Sequence, residues 1–501
     1  MSRSFEYIFQ TFIPYKYGSI LIWFLTYLFE NNNLIATYRD ITHGESHMDA
    51  QTLNINKVID DAKFTPFHWK VLFWCLLIII FDGYDLIIYG VALPLLMEEW
   101  SLTAVQAGFL ASAALFGMMF GAMIFGTLSD KIGRKKTIMI CVGLFSSFTF
   151  FGAFTNSPMQ FAALRFIAGL GIGGVMPICV ALTSEYAPKR IRSTLVAIMF
   201  SGYAIGGMAS ALLGSFLVVD YGWEIMFYIA GIPTLLLPII WKMLPESLMY
   251  LVKEKRDKEA RIIVQKLAPQ ATVTTSTNLL LDEPTKGDDA PIKALFLNNR
   301  GFTTIMFWVA FFMCLLMVYA LASWLPKLMI QAGYSLGASM LFLFALNIGG
   351  MVGAIGGGVL ADKFHLKPVL ATMFALGAVA LILLGYNSPQ VVLYTLIAIA
   401  GATTIGSQIL LYTFVAQYYP TAVRTIAMGW ASGIGRIGAI VGPILTGALL
   451  TLELSHQTNF IFIAIPGIIA AVAIFLVNLN AAVDGKKRNV APVTLKTPMT
   501  T

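Results

Sequence analysis

The sequence predicts an all-α polytopic membrane protein with 12 transmembrane helices in two pseudo-symmetric six-helix halves. Three observations lead there. Of 501 residues, 58% are hydrophobic and only 12% charged, with a mean hydropathy of +0.77, whereas a soluble chain carries about 25% charge. Twelve apolar runs come close to the ~20 residues that a helix needs to cross about 30 Å of hydrocarbon. One sequence shift holds from the first run of each half to the fifth. The 43 glycines suit close helix packing in lipid. Cys75, Cys141, Cys179 and Cys314 lie in apolar runs without a CxxC pair and read as small core residues.

Residues 1–69 read as an N-terminal cytoplasmic segment. Within it, Gly18 to Phe29 is apolar for only 12 residues and is followed by Glu30 and three asparagines, too short for a span. Gly44-Glu45 precedes Met48 and can be encoded by GGA-GAG, a ribosome-binding site. Translation is therefore expected to start at Met48, and an intact mass retaining residues 1–47 would refute this. The spans are placed at 70–96, 105–128, 137–155, 159–182, 193–219, 223–244, 301–329, 337–360, 367–386, 389–415, 424–450 and 458–479. The six-helix halves are then 70–244 and 301–480. They are separated by a polar linker, 245–300, with nine Lys/Arg, and followed by a tail, 481–501.

Basic residues set the orientation. Lys131, Arg134, Lys135 and Lys136 follow span two, and Lys189, Arg190 and Arg192 follow span four. Lys363 and Lys367 follow span eight, and Lys486, Lys487 and Arg488 follow span twelve. Apart from Lys327, the opposite ends carry no Lys or Arg, so both termini are expected in the cytoplasm. The net charge of +7 is thus topological and does not point to nucleic acid.

A shift of 232 residues pairs Pro94 with Pro326, Gly117 with Gly349, Gly121 with Gly353, Gly126 with Gly358, Asp130 with Asp362, Pro188 with Pro420 and Arg192 with Arg424. Such halves are related by an axis along the membrane normal. Substrate then lies near the midplane between them, and one half rocks against the other.

Ionisable groups at that depth are costly and usually functional. Asp82 and Asp85 sit mid-span at i, i+3 on one helix face, which Tyr89 continues, and Gly83 permits close backbone approach. Burial and a neighbouring acid both disfavour the charged form of a carboxylate, so the pair reads as a proton carrier. Their counterparts in the repeat are Cys314 and Met317, so the acids are a one-sided addition to a symmetric scaffold. Arg436, mid-span in run eleven, suits a carboxylate, because guanidinium binds it bidentately. The surrounding Gly433-Ile-Gly435-Arg436-Ile-Gly438 fits GxGxxG in letters but has no preceding strand, so no dinucleotide site is expected.

Gly126-Thr-Leu-Ser-Asp130-Lys-Ile-Gly133-Arg134-Lys-Lys resembles the signature of the major facilitator superfamily. Its copy, Gly358-Val-Leu-Ala-Asp362-Lys363-Phe-His365, lacks the second glycine and the arginine. Arg165-Phe-Ile-Ala-Gly169-Leu-Gly-Ile-Gly173, Glu185 with Pro188 and Arg190, and Pro245-Glu246-Ser247 fit further patterns of that superfamily over residues 70–480. The carboxylate of Asp130 beside helix ends and cations reads as a conformational latch. Asp82-Gly83-Tyr84-Asp85 resembles the first-span motif of the aromatic acid:proton symporters, and within them the bacterial benzoate transporters. The resemblance implies proton-coupled uptake of an aromatic carboxylate such as benzoate across the bacterial inner membrane, serving aromatic catabolism. It implies roles for Asp82, Asp85, Arg165, Arg436, Asp130 and Arg134, with Arg424 also on a family position. Gly126, Gly133, Glu185 and Asp362 join the gating set, and Arg165, Tyr89, Trp324 and Tyr412 join Arg436 in the substrate set.

Other readings stand beside this one: a carrier for hydroxybenzoate, protocatechuate, sugars or organophosphates, or an aromatic-acid chemoreceptor that binds without accumulation. No nucleophile–base pair, metal cluster, cofactor motif or Walker loop is present in the sequence, so neither an enzyme nor ATP coupling is expected. The expected partners are the small acid, protons and the bilayer, with a monomeric protein.

Overall fold

The computed structural model describes residues 52–267, 278–280, 292–386 and 388–479. The expected start at Met48, the basic tail and two stretches of the linker lie outside the described residues. The spans are α1 (Pro66–Glu99), α2 (Ala104–Ile132), α3 (Arg134–Gly152), α4 (Pro158–Tyr186), α5 (Arg192–Tyr221) and α6 (Glu224–Met243) in one half. In the other they are α7 (Gly301–Gln331), α8 (Leu336–Phe364), α9 (Leu366–Leu384), α10 (Gln390–Tyr418), α11 (Thr421–Leu450) and α12 (His456–Leu476). Eleven of these are long and apolar enough to cross a membrane. The twelfth, α3, has 19 residues and opens on Arg134, Lys135 and Lys136, which dilute its apolar stretch. Pro233 interrupts α6 after Ala230, because its ring nitrogen has no hydrogen to donate.

Several helices overrun the apolar runs because their caps lie outside them. Thr103 and Gln106 form a reciprocal capping box at the start of α2, as Thr65 and His68 do for α1. Gly133 ends α2 at φ 97°, and its repeat counterpart His365 ends α8 at φ 68°, ψ 152°. That conformation is natural for glycine and strained by about 1–3 kcal/mol for other residues. His365→Gly is accordingly expected to raise stability by about 1 kcal/mol, read as a higher thermal midpoint in detergent.

Outside the spans the chain forms one short strand pair. Thr52–Asn54 pairs in parallel with Asn278–Leu280 of the linker. The linker also contains the helix Asp257–Leu267, whose Ala260, Ile263, Val264 and Leu267 share one buried face.

The repeat is visible in the packing. Within one half α2 packs on α4 and α1 on α5; within the other α8 packs on α10 and α7 on α11. Small residues make these contacts close: a Cβ on Gly117 would fall 2.1 Å from the Phe166 carbonyl oxygen, and one on Gly349 1.9 Å from that of Ala398. Tyr186 donates its hydroxyl to the Glu246 carbonyl, and 232 residues on Tyr418 donates to Asn478. The halves meet through α1–α7, α2–α11 and α5–α8. At Gly90 the backbone of α1 touches Ala322 of α7, its own repeat counterpart, so the pseudo-axis passes there.

The glycines that touch the opposite half lie toward one side. Away from the basic ends, Gly108 meets Pro443, Gly447 meets Ala104, and Gly337 meets Ser215. Toward the basic ends, Gly126 of α2, Gly358 of α8, and Gly429 and Gly433 of α11 meet nothing within 4 Å. The two halves therefore part toward the basic ends, leaving a cleft that narrows toward the middle of the spans.

Candidate functional site

The stripe Gly447, Pro443, Ile440, Arg436, Gly433 and Gly429 repeats every three or four residues and forms one face of α11. Its upper part rests on α2, where Ser112 donates a hydrogen bond of 2.7 Å to the Ile440 carbonyl. Its lower part faces open space from Gly433 onward. Arg436 sits where the two meet, half-buried, with Nη1 3.7 Å from Met118 Sδ of α2. A thioether is a weak acceptor, so the guanidinium keeps most of its hydrogen-bonding capacity. Gly435 and Gly438 let α11 lie against Phe311 and Phe312 of α7.

The two first-span acids have different surroundings. Asp85 forms a buried ion pair with Arg165, and Thr149 Oγ1 donates to its other oxygen at 2.6 Å. Arg165 also donates to Thr149 Oγ1 and to the Asp85 carbonyl, both at 3.1 Å. Arg165, expected among the substrate contacts, bonds in this structure to Asp85 and Thr149 of its own half. Asp82 is 0% exposed, and neither oxygen has a hydrogen-bond partner among the described residues. Its charge is within electrostatic reach of Arg436 in the other half and of Tyr203 and Tyr319. Gly83 lets Tyr203 of α5 approach: a Cβ there would lie 2.2 Å from the Tyr203 carbonyl oxygen.

The aromatic residues expected around a ring divide similarly. Tyr89 donates to the Ala107 carbonyl at 2.6 Å, and Trp324 donates to the Pro443 carbonyl at 2.9 Å; both rings are buried in helix contacts. Tyr84 is likewise tied to the Met226 carbonyl at 3.0 Å. Tyr412 is half-buried, its edge on Phe311 and its hydroxyl 3.0 Å from Ser432 Oγ on α11. Of the expected set it is the one beside the cleft. Thr149, Tyr203, Tyr319 and Met118 were missed. A threonine, a methionine or a tyrosine in an apolar run carries no sequence signal for which neighbour it meets.

At the basic end, Arg134 pairs with Glu185, which also accepts from Ser247 Oγ and the Met249 amide, each at 2.8 Å. Glu246 accepts from the Lys135 amide at 2.9 Å, and its carboxylate abuts Gly133. This cluster joins α2–α3, α4 and the end of α6 within one half. Asp130 and Asp362 are exposed and form no ion pair among the described residues. Arg424 Nε is buried without a hydrogen-bond partner among the described residues. One turn before Asp130, a Cβ on Gly126 would meet nothing within 4 Å.

Two helical lobes that part on one side, with a lone acid and a free guanidinium at the point of parting, are the architecture of a membrane transport protein rather than an enzyme. The chain belongs to the Major Facilitator Superfamily, whose family model matches residues 75–366 and 348–498. It is 53% identical over 435 residues to the benzoate transport protein of Acinetobacter baylyi, covering 86% of this chain and 93% of that one. It is 34% identical to the gallate transporter of Pseudomonas putida, over 88% and 98% of the two chains. It is 32% identical to a 4-hydroxybenzoate transporter of Pseudomonas aeruginosa, over 87% and 98%. Among solved structures, the xylose transporter of E. coli superposes with a TM-score of 0.64 at 19% identity, covering 82% of this chain and 98% of that one. A bacterial homolog of the human lysosomal transporter Spinster gives 0.64 at 17%, over 84% and 99%. Likenesses at that identity establish the fold alone.

Proposed function

We propose that this protein takes up an aromatic monocarboxylate, benzoate in the first place, together with protons. It acts as a monomer in the bacterial inner membrane with both termini in the cytoplasm. The likeness to the Acinetobacter benzoate transport protein supports the substrate class. The basic residues around Lys131, Lys189 and Lys363 support the orientation. The cleft then opens to the cytoplasm, and the structure is inward-facing.

The observation that carries proton coupling is Asp82, an acid without a hydrogen-bond donor, placed within reach of the cation of Arg436. While ionised, Asp82 and Arg436 offset each other's charge across the halves. A proton on Asp82 removes that competitor, and Arg436 is then free for the substrate carboxylate. Linkage is reciprocal, so bound substrate also favours the proton. Asp85 is held by Arg165 and Thr149 and keeps its charge paired; it orients α1 rather than carrying the proton. Tyr412 offers a ring face beside the cleft. Asp130, Asp362 and Arg424 form the latch when the cytoplasmic ends of α2, α8 and α11 close.

The test is uptake of labelled benzoate into proteoliposomes with an imposed pH gradient, measured against protein-free vesicles. Saturable uptake that exceeds the protein-free level supports the reading. Binding without accumulation would make the protein a receptor. Arg436→Lys loses the bidentate geometry and is expected to weaken benzoate affinity by about tenfold. A Kd equal to that of the unaltered protein would remove Arg436 from the site.

A further inference from the structure

Met118 of α2 meets Arg436 of α11 across the two halves, its Sδ 3.7 Å from Nη1. The residue is 3% exposed. Its backbone is fixed from behind: a Cβ on Gly173 of α4 would fall 2.1 Å from the Met118 carbonyl oxygen. Away from the basic ends, Ser112 joins α2 to α11 through the Ile440 carbonyl. Toward the basic ends, Gly126 of α2 and Gly433 and Gly429 of α11 meet nothing within 4 Å. Met118 and Arg436 thus face each other where the cleft ends.

The repeat does not require a methionine at this place. The counterparts of Met118 and Arg436 are Gly350 and Ala204, neither of which carries more than a methyl group. The thioether, like the guanidinium it touches, is a one-sided addition to the scaffold.

A thioether is a weak hydrogen-bond acceptor, and a carboxylate, whose bonds to guanidinium are charge-assisted, displaces it. Its more favourable partner is an aromatic ring, because the sulfur is polarizable and the ring carries a positive edge. A saturated ring has no such edge. In benzoate the carboxylate is bonded directly to the ring. An acid held by Nη1 therefore carries its ring to the neighbourhood of the sulfur, with no spacer to take it elsewhere. Tyr412 stands near the same anchor from the other half, its hydroxyl 3.0 Å from Ser432 Oγ, one turn before Arg436.

We infer that Met118 is a specificity-determining residue: its thioether, lying beside the carboxylate anchor, makes the site prefer aromatic acids over saturated acids of the same size and charge. The inference rests on the reading that the substrate carboxylate sits at Arg436. A sulfur–ring contact contributes a factor of about two to ten in affinity.

The experiment is saturable uptake of labelled benzoate in proteoliposomes, competed by unlabelled benzoate and by cyclohexanecarboxylate. The second acid keeps the charge and the six-membered ring but has no π-system. A change in the hold of Arg436 on a carboxylate touches both acids and cancels in the ratio of their inhibitory potencies. The unaltered protein should favour benzoate by about fivefold or more. Met118→Leu conserves volume, which packed interiors tolerate. It should lower that preference by about fivefold, through weaker binding of benzoate. Met118→Ala also lacks the sulfur and leaves a hole, so both acids should bind more weakly and the preference should fall by a similar factor. A packing role alone would weaken both acids together and leave the ratio where it was. The inference is overturned if the unaltered protein shows no preference, or if either variant keeps the original ratio to within about twofold. Failure of the underlying reading looks different: the unaltered protein would show no saturable benzoate uptake, or Arg436→Lys would leave benzoate affinity unchanged.

Discussion

Asp82→Asn is expected to abolish accumulation driven by a pH gradient while leaving exchange of labelled for unlabelled benzoate intact. An inward gradient of one pH unit supplies about 1.4 kcal/mol per proton, a tenfold concentration ratio at one proton per substrate. With asparagine at position 82 no proton is carried there, and the ratio should fall to that of protein-free vesicles. Exchange survives because an amide mimics the protonated acid: it carries no charge to compete for Arg436. The measurement is the steady-state ratio in proteoliposomes, paired with counterflow at symmetrical pH. Full accumulation by Asp82→Asn would show that the orphan acid is not the coupling group, and attention would pass to Asp85.

Breaking the Asp85–Arg165 pair should have the largest effect on stability. Both side chains are almost fully buried, at 1% and 2% exposed, and the pair is completed by Thr149. Removing one partner of a buried pair leaves an uncompensated charge and costs about 3–5 kcal/mol. Asp85→Ala and Arg165→Ala are each expected to fold poorly and to melt well below the unaltered protein in detergent. An apolar double replacement, Asp85→Leu with Arg165→Met, removes both charges and should recover much of that loss, since apolar pairs often substitute well. A double variant as unstable as the sum of its parts would mean that the ion pair is not the interaction lost. These variants also separate the two acids. Asp82→Asn strikes coupling in a protein that melts normally, whereas Asp85 variants strike the fold.

The fold was largely legible in the sequence. Pro94 with Pro326 and Gly117 with Gly349 announced the repeat, and the structure returns it as equivalent helix contacts on both sides of a pseudo-axis at Gly90. Ends were less legible, because a helix stops at a cap such as Thr103 or Gly133 rather than where apolar residues run out. Missing the second glycine at His365 was a visible departure from the motif, and the structure shows its consequence as a positive φ.

The site divides along a physical line. Local hydropathy identifies which ionisable residues are buried, because lipid makes any charge in an apolar run exceptional. That much needed no coordinates for Asp82, Asp85 and Arg165. It does not identify partners. Three residues along a helix differ by about 60° in direction, enough to turn Asp85 onto Arg165 and leave Asp82 near the interface. The same sequence spacing that grouped the two acids therefore concealed their difference. By itself the sequence pointed to the membrane class of the chain, the twofold repeat and the ionisable residues inside the apolar runs, all consequences of residue-by-residue transfer into lipid. Which charge is paired, which is free and where the cleft opens was decided by tertiary structure, because those depend on how each helix is rotated and how closely glycines let it approach its neighbour.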